Sequence, residues 1–319
     1  MLHLNEHAFH LSARSGCLLL AGLTIARGSS FLMSKHLLGT MEPLCLLGLR
    51  FFLAFIILFL LFFRKVCDEI KKDPKVLMVS LILGVTYFIC MASELIGLQF
   101  TTASTCSFLE NSAIVMVPVI EAVLMRRLPR PVIAVSTVIT FVGIGFIVLR
   151  PAAGAGGEGG IFSGVGIGEI LCLAAAFTYA MAIIITDRIS KKHDPMTLGI
   201  LYVGFMGLMG LAASFIFETP HLPQTGGQWA ALLVLALLCT AFGFTMQPVA
   251  QKLLSSETTG IICALNPLTT AVLGWLLMGD MLGISGIAGA LLIICGIVLP
   301  NIRQNRSRSS HHLDLTCSR

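Results

Sequence analysis

Glu110 lies near the middle of residues 102–125, an apolar stretch long enough to cross a bilayer. A carboxylate at that depth is expensive unless a cation or water meets it, so it marks a candidate functional site. Few other charges share the depth, chiefly Arg27, Arg50 and Glu94. Two arginines and two glutamates in an apolar chain must face one another or a wet cavity. Their chemistry is complementary. Each arginine offers a planar fork to a carboxylate, and Glu110 can receive an ammonium group or carry a proton.

Comparing the two ends of the chain extends the set. Under a shift of 152 residues Arg27 falls on Tyr179 and Arg50 on Tyr202, and Tyr87 is the one remaining tyrosine of three. A tyrosine brings a hydroxyl and a π-face to such a site. Asn111 follows Glu110, with Ser107 one turn earlier, and Pro118 removes a backbone donor below them. Glu94 falls one turn from Cys90 and two from Tyr87. Asn266-Pro267 and Gln247-Pro248 place an amide beside a helix-loosening proline, as do sites built on broken helices. Arg27, Arg50, Tyr87, Glu94, Glu110, Asn111, Tyr179, Tyr202 and Asn266 are therefore the candidate substrate-binding residues. Each also has a structural reading. The charges can form closed ion pairs, the prolines can be packing kinks, and the tyrosines can sit at helix ends.

The elements that hold these residues follow from composition. Hydrophobic residues make up 56% of 319 and charged residues 12%, about half the share of a soluble domain. Mean hydropathy is +0.92, which defines an integral membrane protein. The chain divides into ten apolar runs near 14–37, 43–63, 75–98, 102–125, 131–149, 165–187, 196–217, 228–250, 257–278 and 283–302. About 20 apolar residues span the hydrocarbon core as a helix. Uninterrupted runs of this length, rather than short alternating strands, exclude an outer-membrane barrel. Arg27 interrupts the first run and no small-residue cleavage pattern follows, so it does not read as a removable signal. The ten cysteines form no CxxC or Cys/His cluster, and neither disulfide, metal nor cofactor is implied. Trp229 and Trp275 suit interfacial belts, and Gly204, Gly207 and Gly210 suit close helix contact.

Residues 151–163 begin with PAAGAGGEGG and read as a linker between repeats at 14–150 and 164–302, with a basic tail at 303–319. The 152-residue shift sets Gly16 on Gly168 and Glu42-Pro43 on Asp194-Pro195. Loop charge gives the orientation. With the N-terminus inside, Arg64, Lys65, Lys71, Lys72, Lys75, Arg126, Arg127, Arg130, Arg188, Lys191, Lys192 and Lys252 all fall on the cytoplasmic side. An odd number of spans per copy inserts the second copy upside down. The fold class is thus all-α integral membrane, with about ten transmembrane helices as two inverted five-helix repeats. Repeats of this kind mark alternating-access transporters, with the site at midplane.

The chain resembles the drug/metabolite transporter superfamily of EamA type. The matching pieces are Gly28-Ser29-Ser30-Phe31, Glu42-Pro43 with Leu49-Arg50-Phe51, Thr101-Thr102-Ala103-Ser104 and Gly168-Glu169. Leu277-Met278-Gly279-Asp280-Met281-Leu282, followed by Gly289 and Gly296, completes the match. The resemblance implies both termini in the cytoplasm and export or exchange of small metabolites at the plasma membrane. It departs at Arg27, where the family usually has tryptophan before Gly-Ser, and near Arg126, where the first copy usually has an acid. The first departure adds a charge to the expected cavity.

Catalysis has no support. No His-Glu-x-x-His occurs, no pair of aspartates sits at midplane, and no Gly-x-x-x-x-Gly-Lys loop is present for ATP. A channel or a membrane scaffold is the alternative reading. The expected partners are a small amphipathic or zwitterionic substrate, the lipid bilayer and, as candidate coupling ion, a proton. No nucleic acid is implied.

Overall fold

Two helices open in the same way, an acidic residue followed by proline. Helix α2 (Pro43–Lys72) begins after Glu42, and Asp194 precedes a helix beginning at Pro195. Proline at the first helical position loses no hydrogen bond and presets φ, so both starts are fixed by sequence. These are the positions that the 152-residue shift superposes. The computed structural model describes residues 13–124, 126, 131–148, 166–190, 193–243, 262, 265–280 and 283–299. The expected linker at 151–163, the tail at 303–319 and Gln247-Pro248 lie outside the described residues.

The remaining helices are α1 (Ala13–Leu37), α3 (Lys75–Phe100), α4 (Ala103–Asn111), α5 (Ala113–Leu124), α6 (Pro131–Val148), α7 (Ile167–Ser190) and α8 (Pro195–Phe217). Then come α9 (Gly226–Val234), continued as the π-helix Leu235–Phe242, α10 (Leu265–Met278) and α11 (Gly283–Leu299). Among the described residues there is no strand. Six of these segments are long and apolar enough to span a bilayer, with Ala103–Leu124 counted as one, and four shorter apolar helices accompany them.

Two details differ from the sequence reading. Helix α2 does not stop with its apolar run near residue 63. It bends at Phe62 (φ −116°, ψ 21°) and continues to Lys72, where Lys71 and Lys72 complement the negative end of the helix dipole. The fourth span, read as one run, is interrupted at Ser112, while Pro118 lies inside the continuous helix α5. The Ser112 hydroxyl donates to the Leu109 carbonyl (2.6 Å), which draws the chain into a tighter turn between α4 and α5.

The two copies are held face to face chiefly by α2 against α8 and α3 against α7. Glycine makes the first contact possible. A Cβ on Gly48 would lie 2.5 Å from the Leu211 nitrogen, and one on Gly207 would lie 2.5 Å from the Phe52 nitrogen. A Cβ on Gly204 would meet the Phe55 ring at 2.6 Å. Numbers rise along α2 as they fall along α8, so the equivalent helices run antiparallel. The second copy is therefore inverted relative to the first. The same small-residue contact joins α6 to α11, where Gly143 meets Gly289.

Both ends of the α2–α8 pair are clasped across the repeats. Asp194 caps α8 by accepting from the Thr197 backbone N–H (2.9 Å), and Lys65 of α2 donates to it (3.1 Å). At the other end the Glu42 side chain makes no cap. Glu218, the residue closing α8, instead accepts from the Leu44 and Cys45 backbone N–H groups, both at 2.9 Å. A carboxylate on a helix N-terminus satisfies orphan donors and complements the dipole. One large apolar cluster, with Phe31, Phe51, Phe108, Leu83 and Val203 fully or almost fully buried, runs through both copies.

Candidate functional site

Arg27 of α1 donates from Nη1 to the Tyr179 hydroxyl of α7 at 2.7 Å and from Nη2 to Glu110 Oε1 of α4 at 3.2 Å. The guanidinium carbon lies 4.8 Å from the Tyr179 ring centroid, within cation–π range. Glu110 is 1% exposed and the Arg27 side chain 21%. Positions 27 and 179 are equivalent under the 152-residue shift. Equivalent residues of an inverted pair touch only where the pseudo-twofold axis passes, so this contact marks the axis.

A second pair of amides does the same. Asn266 Nδ2 of α10 donates to Asn111 Oδ1 at 3.2 Å, and Asn111 Nδ2 donates to the Ser107 carbonyl at 2.7 Å. The two asparagines are 155 residues apart, the repeat offset plus a short gap. Thr270, one turn after Asn266, donates to the Gly28 carbonyl next to Arg27 (2.9 Å). The line from Arg27 and Tyr179 to Asn111 and Asn266 is thus the seam between copies, and Glu110 sits on it.

Three tyrosines wall one side. The rings of Tyr87 (α3) and Tyr202 (α8) stack at 5.1 Å, and Tyr179 meets Tyr87 at 6.2 Å with planes 62° apart. The Tyr87 hydroxyl lies 3.4 Å from Thr186 Oγ1. Offset and edge contacts of this kind hold rings rigidly while leaving hydroxyls for polar partners.

Arg50 reaches the site from α2 by another route. Its Nε donates to Thr240 Oγ1 at 2.6 Å, and the Thr240 hydroxyl donates to the Leu235 carbonyl five residues back at 3.0 Å. That wider turn is the π-helix, and it sets Thr240 on Arg50 and Cys239 on the Ala26 carbonyl (3.2 Å). Irregular turns of this type recur at functional sites. Arg50 is 5% exposed. The Nε bond of Arg50 goes to Thr240, and the ring of Tyr202, its equivalent under the 152-residue shift, stacks on Tyr87.

Glu94 of α3 is 5% exposed and lies within electrostatic reach of Glu110, Arg50 and Arg27. Its Oε2 and the Oε2 of Glu110 have no hydrogen-bond partner among the described residues. Two guanidinium groups and two carboxylates balance to zero if all are ionised. Among the described residues no group of three or more His, Cys, Asp or Glu is placed to hold a metal ion. Thr240 escaped the sequence reading, since one threonine in an apolar run carries no sign of a π-turn.

An all-α membrane protein whose inverted copies enclose charged and aromatic side chains on their shared axis is laid out as a transporter. The chain belongs to the EamA-like transporter family, whose profile matches residues 14–149 and again 166–302. The uncharacterized transporter YoaV of Bacillus subtilis is 24% identical over 290 residues, covering 90% of this chain and 96% of that one. An uncharacterized transporter of Archaeoglobus fulgidus is 26% identical over 299 residues, covering 91% and 98%. The threonine/homoserine exporter RhtA of Salmonella typhimurium is 29% identical over 137 residues, 41% of this chain and 42% of that one. A crystal structure with 14% identity superposes with a TM-score of 0.64 over 92% of this chain and 98% of its own, a likeness of fold. The family is one of transporters and not of enzymes.

Proposed function

We propose that the protein exports a small zwitterionic or amphipathic metabolite, amino-acid-like in its charges, across the plasma membrane by alternating access. The observation that carries this reading is the Arg27–Glu110 contact on the repeat axis, 3.2 Å long and closed over by Tyr179. A substrate with an ammonium and a carboxylate can part that pair and satisfy both halves: the carboxylate takes the Arg27 fork and the ammonium takes Glu110. Without substrate the two residues neutralise each other, so one contact serves as resting lock and as receptor. The name of the threonine/homoserine exporter, a partial relative, favours the same substrate class.

Orientation rests on loop charge. The basic ends of α2 and α7 (Arg64, Lys65, Lys71, Lys72 and Arg188) lie on the cytoplasmic side, and both termini are inside. Glu110 carries the coupling proton in this scheme, since loss of its partner during opening leaves a buried carboxylate that a proton can neutralise.

Counterflow in proteoliposomes tests the reading. Vesicles loaded with unlabelled L-homoserine should accumulate labelled L-homoserine transiently above equilibrium, and a pH gradient should drive net flux in the native protein but not in Glu110→Gln. Uptake indifferent to internal substrate would speak for a channel, and none at all for a scaffold.

A further inference from the structure

Buried acceptors without donors gather beside the Arg27 contact. Glu94 Oε2, Glu110 Oε2, Asn266 Oδ1 and Ser107 Oγ are shut off from solvent and unpartnered among the described residues. They are physically linked. Ser107, Glu110 and Asn111 lie within about one turn of α4. Asn266 donates to Asn111, and Glu94 and Glu110 lie within each other's electrostatic reach. Glu94 is 5%, Glu110 1% and Asn266 4% exposed. A buried acceptor left unpaired is costly, and carboxylate oxygens most of all. What this group lacks is a donor with several N–H bonds.

We propose that Glu94, Glu110 and Asn266 form a subsite for a primary ammonium group, so that the substrate must bring N–H bonds and not merely positive charge. This rests on the zwitterion reading above, in which Arg27 takes the carboxylate. A quaternary ammonium could stack on tyrosine faces. But the guanidinium of Arg27 already covers the Tyr179 ring at 4.8 Å, and methyl groups would leave the oxygen acceptors as they are. Charge balance agrees. Two positive and two negative residues stay neutral with a zwitterion bound, whereas a lone amine or a lone acid leaves one charge uncompensated within the bilayer.

The test is calorimetric titration of the purified full-length protein with L-homoserine, its N,N,N-trimethyl derivative and 4-hydroxybutyrate, which lacks the amine. The trimethyl compound, equal in charge, is expected to bind at least roughly tenfold more weakly than L-homoserine, the scale of lost charge-assisted hydrogen bonds. Glu94→Gln and Asn266→Ala should each weaken L-homoserine about tenfold while 4-hydroxybutyrate shifts less than about twofold. The ligand series on the native protein stands even if a variant fails to fold. Trimethyl and parent compounds binding within threefold of each other would overturn the subsite. So would competition of NaCl with L-homoserine, since the acceptors would then hold a cation. In either case counterflow of L-homoserine would leave the transport reading intact. Absence of counterflow, with no binding by any of the three compounds, would overturn both.

Discussion

Arg27 and Tyr179 occupy equivalent places in the two copies, and the guanidinium of one donates to the hydroxyl of the other at 2.7 Å. Pseudo-symmetry brings such positions together, and sequence divergence has made their chemistry complementary rather than alike. Two arginines on the axis would repel, and two tyrosines would leave Glu110 without its hydrogen-bonded cation. The asymmetric pair allows an inverted repeat to hold a buried carboxylate.

Removing one partner should therefore cost more than removing both. Arg27→Met strands Glu110 as a buried charge, at about 3–5 kcal/mol by the usual scale for a broken buried pair, while Arg27→Met with Glu110→Leu should recover most of that loss. Thermal unfolding in detergent reads the difference. Equal loss in single and double variants would mean that the contact is incidental.

The α2–α8 seam should tolerate no side-chain carbon. Gly207→Ala and Gly48→Ala place a Cβ against backbone at 2.5 Å, so the helices must separate, at about 1–3 kcal/mol or more. Gly22→Ala and Gly199→Ala meet nothing within 4 Å and should be neutral or stabilising by about 0.5–1 kcal/mol. Melting temperatures of the four variants check the contrast.

Asp194 gives a pH dependence of known sign. Burial alone would raise its pKa, but the Thr197 N–H, Lys65 and the Thr197 hydroxyl together outweigh burial and hold it below the ordinary carboxylate value. A depressed folded pKa means stability that is fully present above the unfolded value of about 3.9 and lost as pH falls through the folded value. Asp194→Asn keeps the cap acceptor and loses only the charge facing Lys65 and the helix dipole, so it should lower stability by about 0.3–1 kcal/mol at neutral pH and flatten the acid limb of the stability curve below pH 4. An unchanged acid limb would show that the cap carries no such linkage.

Thr240→Val should leave the Arg50 Nε donor unpaired at about 1–3 kcal/mol, whereas Thr240→Ser keeps the hydroxyl and should stay near native. Transport and melting temperature measured side by side would separate the two variants.

Much of this was legible in the chain because membrane insertion leaves charges few and repeats leave offsets. Arg27, Glu110, Glu94 and Arg50 stood out by depth, and the 152-residue shift named Tyr179 as the counterpart of Arg27. The same shift set Arg50 and Tyr202 at equivalent positions, whereas the Arg50 Nε bond goes to Thr240, which the shift does not single out. That difference lies in a π-turn, a backbone register that no side-chain pattern encodes. The break at Ser112 was not legible for a related reason: a hydroxyl bonding back to the Leu109 carbonyl leaves no composition signal. The clasp of Glu218 on α2 needs contact between elements about 170 residues apart, which local sequence does not hold.

Alternate exposure of the axis is the most direct measurement of the whole account. Tyr179→Cys in an otherwise cysteine-free, transport-competent protein would be treated in oriented vesicles with a membrane-impermeant maleimide from each face in turn. Labelling from both faces, suppressed by L-homoserine, is the expected result. Labelling confined to one face, or indifferent to substrate from both, would contradict it.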